Sequence, residues 1–231
     1  MASPRPLLDV GRLDRADAIV ASEPFHFLIA RGQLDDADRP ALLADFPRYG
    51  SAGFFPYEAA DCGPAMRGLV DEMRAPAFAE ALGRKLGIER LGERPTLATL
   101  SDSLNRRHGT LHTDSHSKVA TALLYFNETW PHGSAGCLRL LARGDDIEAM
   151  IAPEILPLYG TMVAFARADD SWHGHLPFEG ERRVLQVAWL TSEDELRRKQ
   201  KLGAFSRWFK KLVGGLDRRF GAGRGVNARH D

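Results

Sequence analysis

Five short segments rich in β-branched and aromatic residues constrain the fold of this chain more than any other feature of its sequence. Each is bounded by Gly, Pro, Asp or Asn, and they cover Thr96–Leu104, Lys118–Phe126, Gly136–Leu141, Thr161–Ala166 and Arg182–Leu190. Within them the apolar residues recur with the period of two that is typical of strands. Short strands at this spacing predict an all-β sandwich or jelly roll rather than a parallel sheet with crossover helices.

The residues before Pro95 have a helical pattern instead, and we expect them to support the β core. One helix is marked by Leu42 and Phe46, which follow an acidic stretch that can cap its start. A second apolar stripe runs through residues 68–86 and breaks at Pro76. The predicted fold class is therefore mainly β with flanking helices (α+β), in which N-terminal helices cover one face of a sheet.

Composition excludes several classes of protein. The 231 residues carry 31 basic and 31 acidic side chains, so no overall field attracts nucleic acid. The two cysteines, Cys62 and Cys137, are too few for a disulfide scaffold or a four-cysteine zinc site. The first residues lack a secretory signal, and the apolar run at 120–126 is too short to span a bilayer. We therefore expect a globular cytoplasmic protein with no nucleic-acid partner.

Two residues of the β half have the spacing of metal ligands. His112 and Asp114 are separated by one residue, and residues i and i+2 of a strand point to the same face. His173, in the Ser-Trp-His-Gly-His run at 171–175, can supply a third ligand. Two imidazoles and one carboxylate leave the opposite positions of a metal open, which suits a non-haem Fe(II) that binds a co-substrate and dioxygen.

An arginine at the start of the last strand predicts a bound anion. Arg183 precedes an apolar run that ends in Val187, Ala188 and Trp189. An unpaired buried guanidinium is costly, and its planar fork binds a carboxylate through two hydrogen bonds. A dicarboxylic co-substrate would supply this anion. The alternative is a structural ion pair with an Asp or Glu of the chain.

Four motifs in a fixed order resemble the Fe(II)- and 2-oxoglutarate-dependent dioxygenases, and their prolyl-hydroxylase-like branch most closely. The first three are Leu-His-Thr-Asp-Ser at 111–115, Thr-Ala-Leu-Leu-Tyr-Phe-Asn at 121–127 and Gly-Cys-Leu-Arg at 136–139. The fourth, within 160–186, includes Ser-Trp-His-Gly-His and Gly-Glu-Arg-Arg-Val-Leu-Gln. The resemblance covers roughly Thr96 to Leu190.

This resemblance implies an enzyme with a double-stranded β-helix core of the jelly-roll or cupin-like kind. It implies that His112, Asp114 and His173 are the catalytic iron ligands. Arg183 and Tyr125 would bind the distal carboxylate of 2-oxoglutarate. The cofactor and co-substrates would be Fe(II), 2-oxoglutarate and O2, with ascorbate as a further candidate. The reaction would hydroxylate a C–H bond of a prolyl residue in a protein, or of a small molecule, and release succinate and CO2.

The domain organisation follows from the extent of the resemblance. Residues 1–191 would form a single dioxygenase domain, with 1–95 as mostly helical support and 96–191 as the double-stranded β-helix core. Residues 192–231 carry 11 basic and five acidic side chains, and their apolar stripe predicts a basic amphipathic helix followed by a loose tail. We expect this helix to pack on the β core, and an anionic membrane surface is the alternative partner. The sequence predicts no oligomeric state.

Neighbouring residues leave two assignments in the site open. The family pattern places the ligand directly after the Ser-Trp pair, which favours His173 over His175. Arg182 exchanges roles with Arg183 if the register of the strand shifts by one residue. Of the other histidines, His108 is expected in a solvated turn near the rim of the site.

Two other functional classes are alternatives. On a continuous strand, His112, Asp114 and His116 would share one face and bind zinc, as in a zinc-dependent hydrolase. A non-catalytic binding module on a degenerate β-helix is the second. Replacing His173 with Ala separates the dioxygenase from the zinc hydrolase, because iron binding would be lost in the dioxygenase and metal binding would survive in the hydrolase.

Overall fold

The computed structural model describes residues 5–202 and contains two antiparallel β-sheets. Its strands are β1 Ile19–Ala21, β2 Phe27–Ala30, β3 Phe55–Pro56, β4 Thr96–Leu104, β5 Lys118–Tyr125, β6 Arg139–Leu141, β7 Met162–Ala166, β8 Trp172–Gly174 and β9 Gly180–Leu190. The larger sheet has seven strands in the order β1-β2-β7-β5-β9-β4-β3, and the smaller sheet pairs β6 with β8. The antiparallel two-sheet core that the sequence predicts is therefore present.

Three α-helices lie between β2 and β4, and each has a proline in its first turn. They are α1 Arg39–Asp45, α2 Pro64–Arg74 and α3 Pro76–Leu86. Pro76 separates α2 from α3 because proline cannot continue the backbone hydrogen bonds of a helix, although it fits a helix start. Residues 193–202 form a further helix. Short 3-10 turns occupy Val10–Asp14, Asp36–Asp38, Ala59–Asp61 and Leu91–Glu93.

The helices cover one face of the large sheet, as the sequence predicts. Leu69 and Met73 of α2 and Leu82 of α3 are fully buried in one apolar cluster with Leu185 and Val187 of β9. Burial of each such side chain stabilises the fold by about 1.5–3 kcal/mol. This layer therefore fixes which face of the large sheet points away from the helices.

The opposite face of the large sheet packs against the small sheet, and we call it the inner face. Its apolar cluster joins Leu123 and Tyr125 of β5 and Val184 of β9 to Leu138 and Leu140 from the small-sheet side. Because side chains alternate along a strand, consecutive residues of β5 and β9 divide between the helix-covered face and the inner face. The register of these strands therefore decides which residues reach the space between the sheets.

The segment before Pro95 is less helical than expected. Its predicted helices are present, but it also supplies β1, β2 and β3 to the large sheet. All four residues of β2 are buried, so its apolar run shows no period of two. The pattern also does not predict β8, which has only three residues, Trp-His-Gly.

The predicted basic amphipathic helix lies mainly outside the described residues, so its packing and the domain boundary at 191 stay predictions. Within residues 5–202, no helix combines the length and the apolar character that crossing a membrane requires.

Asn127 joins β9 to the loop before β7 and is 5% exposed. Its Oδ1 accepts a hydrogen bond from the backbone N–H of Arg183 at 3.1 Å, and its Nδ2 donates to the carbonyl of Pro157 at 2.7 Å. We predict that Asn127→Ala lowers the free energy of unfolding by about 2–4 kcal/mol, because each of two buried groups loses its partner. Chemical denaturation measures this change.

Glu128→Ala is the matched control, since Glu128 is the exposed neighbour of Asn127. We expect it to change the free energy of unfolding by less than about 0.5 kcal/mol. Equal losses in the two variants would contradict the role given to Asn127.

Candidate active site

The structure brings His112, Asp114 and His173 together between the two sheets. One ligand atom from each of these residues lies within 4.8 Å of the ligand atoms of the other two. Asp114 and His173 are buried, whereas His112 is exposed, so the group opens to solvent on the side of His112. Two imidazoles and one carboxylate in this arrangement fit a divalent metal such as Fe(II).

A backbone pair between the two histidines builds this group. The N–H of His112 donates to the carbonyl of His173 and the reverse bond also forms, both at 3.0 Å. His173 lies on β8, and His112 forms an isolated bridge beside it. Residues 113–115 do not continue as a strand, so the i, i+2 argument for His112 and Asp114 does not describe how they meet. The irregular chain after the bridge places Asp114 beside the rings instead.

Both histidines are oriented by carbonyl groups of their own loops. The Nδ1 atom of His112 lies 2.7 Å from the carbonyl oxygen of Thr110, and that of His173 lies 2.9 Å from the carbonyl oxygen of Ser171. Since a carbonyl only accepts, Nδ1 carries the proton in each ring, and Nε2 keeps its lone pair for a metal.

Charges around Asp114 and His173 favour the protonation states that metal ligands need. Burial by itself raises the pKa of Asp114, but the positive charge of Lys118 and hydrogen bonds from Lys118 and Thr121 outweigh it, so the pKa lies below its usual range. Burial lowers the pKa of His173 to about 4, although the Asp114 charge opposes this shift. At neutral pH the site therefore offers a carboxylate and a neutral imidazole.

A buried guanidinium lies farther along the same inner face. Arg182 is 3% exposed, its Nε donates to the carbonyl of Gly136 at 2.8 Å, and its Nη2 donates to the hydroxyl of Tyr125 at 3.1 Å. The ion pairs found among residues 5–202 include none to Arg182. An uncompensated buried cation is costly, so this position favours a bound anion.

The structure places Arg182, rather than Arg183, beside Tyr125. Tyr125 of β5 pairs with Val184 of β9, and both point to the inner face, so Arg182 shares that face with them. Arg183 lies on the helix-covered side with Leu185 and pairs with Glu181 at 2.8 Å. The open alternative of a one-residue shift in register is therefore the arrangement that the structure adopts.

Within residues 5–202, His116 and His175 stay outside the ligand group. His116 contacts Arg167 at 3.3 Å, and without a continuous strand it does not join His112 and Asp114 on one face. His175 is buried with its ring against Gly109, where a methyl group would lie 1.7 Å from Nε2. The structure thus brings together the His112, Asp114 and His173 set, and neither His116 nor His175 replaces a member of it.

A cleft of about 200 Å³ is lined in part by residues that neighbour the histidine ligands in the chain. Its lining includes four apolar side chains, Leu111, Ile147, Leu176 and Pro177. Leu111 directly precedes His112, and Leu176 follows β8, which carries His173, so chain segments next to both histidine ligands line the cleft. Arg106 lies at the same cleft and is exposed. The cleft can therefore accept an apolar group of a substrate.

No ligand spacing in the sequence marks the two residues that donate hydrogen bonds to Asp114. Lys118 begins β5, and Thr121 lies on the same face as Leu123 and Tyr125. The period of two, counted back from Tyr125, would have placed Thr121 on the inner face. No such pattern identifies Lys118, because its contact with Asp114 depends on the irregular chain between them.

Comparisons with known proteins agree with this architecture. Residues 100–191 match the family model described as the 2OG-Fe(II) oxygenase superfamily. The structure resembles a prolyl-4-hydroxylase from Pseudomonas putida, with 17% identity, 71% of this chain and 92% of that chain covered, and a TM-score of 0.53. No curated protein matches the sequence significantly.

Two further solved structures are similar at lower scores. The viral collagen prolyl hydroxylase of Paramecium Bursaria Chlorella virus-1 is 12% identical over 72% of this chain and 96% of that chain, with a TM-score of 0.49. A prolyl 4-hydroxylase from Phytophthora capsici is 18% identical over 80% of this chain and 63% of that chain, with a TM-score of 0.48. Together with the strand topology, the Pseudomonas putida structure confirms the double-stranded β-helix fold.

We predict that His173→Ala and His116→Ala affect metal binding very differently. Removing a hydrogen-bond partner of a metal ligand typically weakens metal binding about 10- to 100-fold. Removing the ligand His173 itself should weaken Mn(II) binding by more than this. His116→Ala should bind Mn(II) as the unaltered protein does, since His116 lies outside the ligand group. Isothermal titration of metal-free protein measures both affinities. If His116→Ala abolished binding and His173→Ala retained it, the metal would be held by His112, Asp114 and His116 instead.

Proposed function

We propose that this protein, whose residues 100–191 match the 2OG-Fe(II) oxygenase superfamily model, is an Fe(II)- and 2-oxoglutarate-dependent dioxygenase that hydroxylates a C–H bond. The observation that carries this proposal is a buried guanidinium on the same inner face as the His112, Asp114 and His173 group. A metal site alone would fit many enzymes. A metal site on the same inner face as an uncompensated Arg182 fits an enzyme that binds a carboxylate-bearing co-substrate.

His112, Asp114 and His173 would hold Fe(II), which when bound supplies the redox chemistry that couples decarboxylation of 2-oxoglutarate to substrate hydroxylation. Asp114 and His173 need no change of protonation to do so. Asp114 is ionised, and Nε2 of His173 has a free lone pair at neutral pH. Because all three ligands are fixed by other hydrogen bonds, little ordering would remain to be done when the metal binds.

Arg182 and Tyr125 would orient the distal carboxylate of 2-oxoglutarate. Arg182 donates the N–H of Nε to Gly136 and one N–H of Nη2 to Tyr125. Its remaining N–H groups can donate to a carboxylate. Burial raises the pKa of Tyr125, so its hydroxyl keeps its proton at neutral pH. That hydroxyl accepts from Arg182 and can donate its own proton to the same carboxylate.

The apolar walls of the inner face would keep water from this region. Leu123, Leu138 and Leu140 are buried around Tyr125. Hydrogen bonds and charge interactions are stronger where water is excluded, so Arg182 would contribute more to binding here than at the surface. Exclusion of water also limits side reactions of a strong oxidant.

The substrate group that is hydroxylated would occupy the apolar cleft beside His112. The similar structure from Pseudomonas putida is that of a prolyl-4-hydroxylase, and a prolyl ring is an apolar group that a cleft of about 200 Å³ can accept. We therefore propose a prolyl residue of a peptide as the substrate, with a small molecule as the second candidate. The hydrolase and binding-module alternatives have no comparable support.

We predict that Arg182→Met, but not Arg183→Met, impairs binding of 2-oxoglutarate. The probe is the visible charge-transfer band that a chelated keto acid gives with Fe(II) in the absence of oxygen. Loss of a charge-assisted pair of hydrogen bonds should raise the Kd of 2-oxoglutarate at least tenfold, since about 1.4 kcal/mol already corresponds to tenfold. Arg183→Met, which removes the neighbouring guanidinium, should change the Kd less than about threefold.

Circular dichroism of both variants controls for loss of fold, because both arginines are largely buried. A larger rise in the Kd of 2-oxoglutarate in Arg183→Met than in Arg182→Met would show that Arg183 binds the co-substrate. Absence of the band in the unaltered protein at millimolar 2-oxoglutarate would overturn the proposed function.

We predict that Ile147→Asp separates substrate use from co-substrate binding. A carboxylate in the apolar cleft should reduce hydroxylation of proline-containing peptides at least tenfold, because burial of an unpaired charge is costly. The charge-transfer band should be unchanged. Mass spectrometry of a peptide pool, scored for added oxygen that requires both O2 and 2-oxoglutarate, measures the first effect. Full hydroxylation by Ile147→Asp would show that the substrate binds elsewhere.

A further inference from the structure

Lys118 places a positive charge directly behind the carboxylate ligand. Its Nζ lies 2.6 Å from Oδ1 of Asp114, and the two side chains are only 15% and 7% exposed. Removing both charges from water is costly, and a buried ion pair is often no more stabilising than a neutral pair of similar size. The stability of the fold is therefore a weak reason for a lysine at this position. The presence of Lys118 beside a metal ligand needs another explanation.

Asp114 is already held in place by other contacts. Thr121 Oγ1 donates to Oδ2 of Asp114 at 2.5 Å, and Nε of Arg167 donates to the backbone carbonyl of Asp114 at 3.3 Å. Each carboxylate oxygen can accept two hydrogen bonds, so the bond from Thr121 leaves capacity for a metal. Lys118 is thus distinguished by the positive charge that it brings to the site, since other residues already position the carboxylate of Asp114.

Other charged groups near Asp114 do not cancel this charge. Lys199 lies close by, with its Nζ 3.3 Å from Ser115 Oγ, and the positive charge of Lys118 contributes to lowering its pKa after the larger effect of burial. Arg167 is paired with the exposed carboxylate of Asp169 at 2.6 Å. Among the ion pairs of residues 5–202, Asp114 is the only carboxylate that pairs with Lys118. A bound metal would therefore experience the positive charge of Lys118.

We propose that Lys118 weakens metal binding to the ligand group and strengthens binding of the dianionic co-substrate to the metal-loaded protein. This inference rests on the proposed function. Two neutral imidazoles, one carboxylate and a divalent cation sum to one positive charge, and Lys118 raises the sum to two. That charge opposes the entry of the cation and attracts a dianion. By linkage, 2-oxoglutarate then increases metal affinity by the same factor by which the metal increases 2-oxoglutarate affinity.

The test compares Lys118→Gln and Lys118→Met with Lys118→Arg. Mn(II) and 2-oxoglutarate are titrated calorimetrically, the metal into metal-free protein and the co-substrate into Mn(II)-loaded protein. The neutral variants should bind Mn(II) at least about fivefold more tightly and 2-oxoglutarate at least about fivefold more weakly. Gln keeps a donor for Oδ1 of Asp114 and so separates charge from hydrogen bonding. Lys118→Arg should stay within about twofold for both ligands.

Lys199→Met is the matched control, since it removes a nearby lysine that does not contact Asp114. It should shift both constants in the same directions but less than Lys118→Met. If the neutral variants at 118 lose affinity for both ligands while melting at an unchanged temperature, Lys118 positions Asp114 and the inference is overturned. Unchanged constants overturn it as well.

The failure of the proposed function gives a different result. In that case the unaltered, Mn(II)-loaded protein would not bind 2-oxoglutarate at all. The Mn(II) titrations alone would then still decide whether the charge of Lys118 opposes the metal, because they do not depend on the co-substrate.

Discussion

The register of β9 against β5 is the constraint on which the site depends. Tyr125 lies opposite Val184, and this pairing places Arg182 on the inner face and Arg183 on the helix-covered face. A shift of one residue would move each side chain of β9 to the opposite face of the sheet. The packing of both buried clusters would then be lost, which disfavours the shift. The same packing that holds α2 and α3 on the sheet therefore selects the arginine that can reach an anion.

The metal end of the site depends on a shorter-range constraint. His112 and His173 are paired through two backbone hydrogen bonds, which fixes the separation of their rings before any metal is present. Asp114 joins them from an irregular segment, where Lys118 donates to one of its oxygens and Thr121 to the other. β5 thus connects the two ends, because Thr121 contacts a metal ligand and Tyr125 contacts Arg182 on the same face of one strand.

Much of this arrangement could be predicted from the sequence, and the exceptions have physical causes. The strands from Thr96 onward, except β8, follow from periodicity, and the ligand group follows from motif order. The choice between Arg182 and Arg183 does not, because β9 is buried on both faces and its apolar residues show no clear alternation. β2 was not predictable for the same reason. The contact of Lys118 with Asp114 depends on the path of an irregular segment, which local patterns do not determine.

A crystal structure of the protein with Mn(II) and 2-oxoglutarate, grown without oxygen, would show directly which residues bind each of them. We expect Mn(II) bound by His112, Asp114 and His173, with the distal carboxylate of 2-oxoglutarate on Arg182 and Tyr125. A carboxylate bound to Arg183, or a metal held by His116 in place of His173, would contradict this expectation.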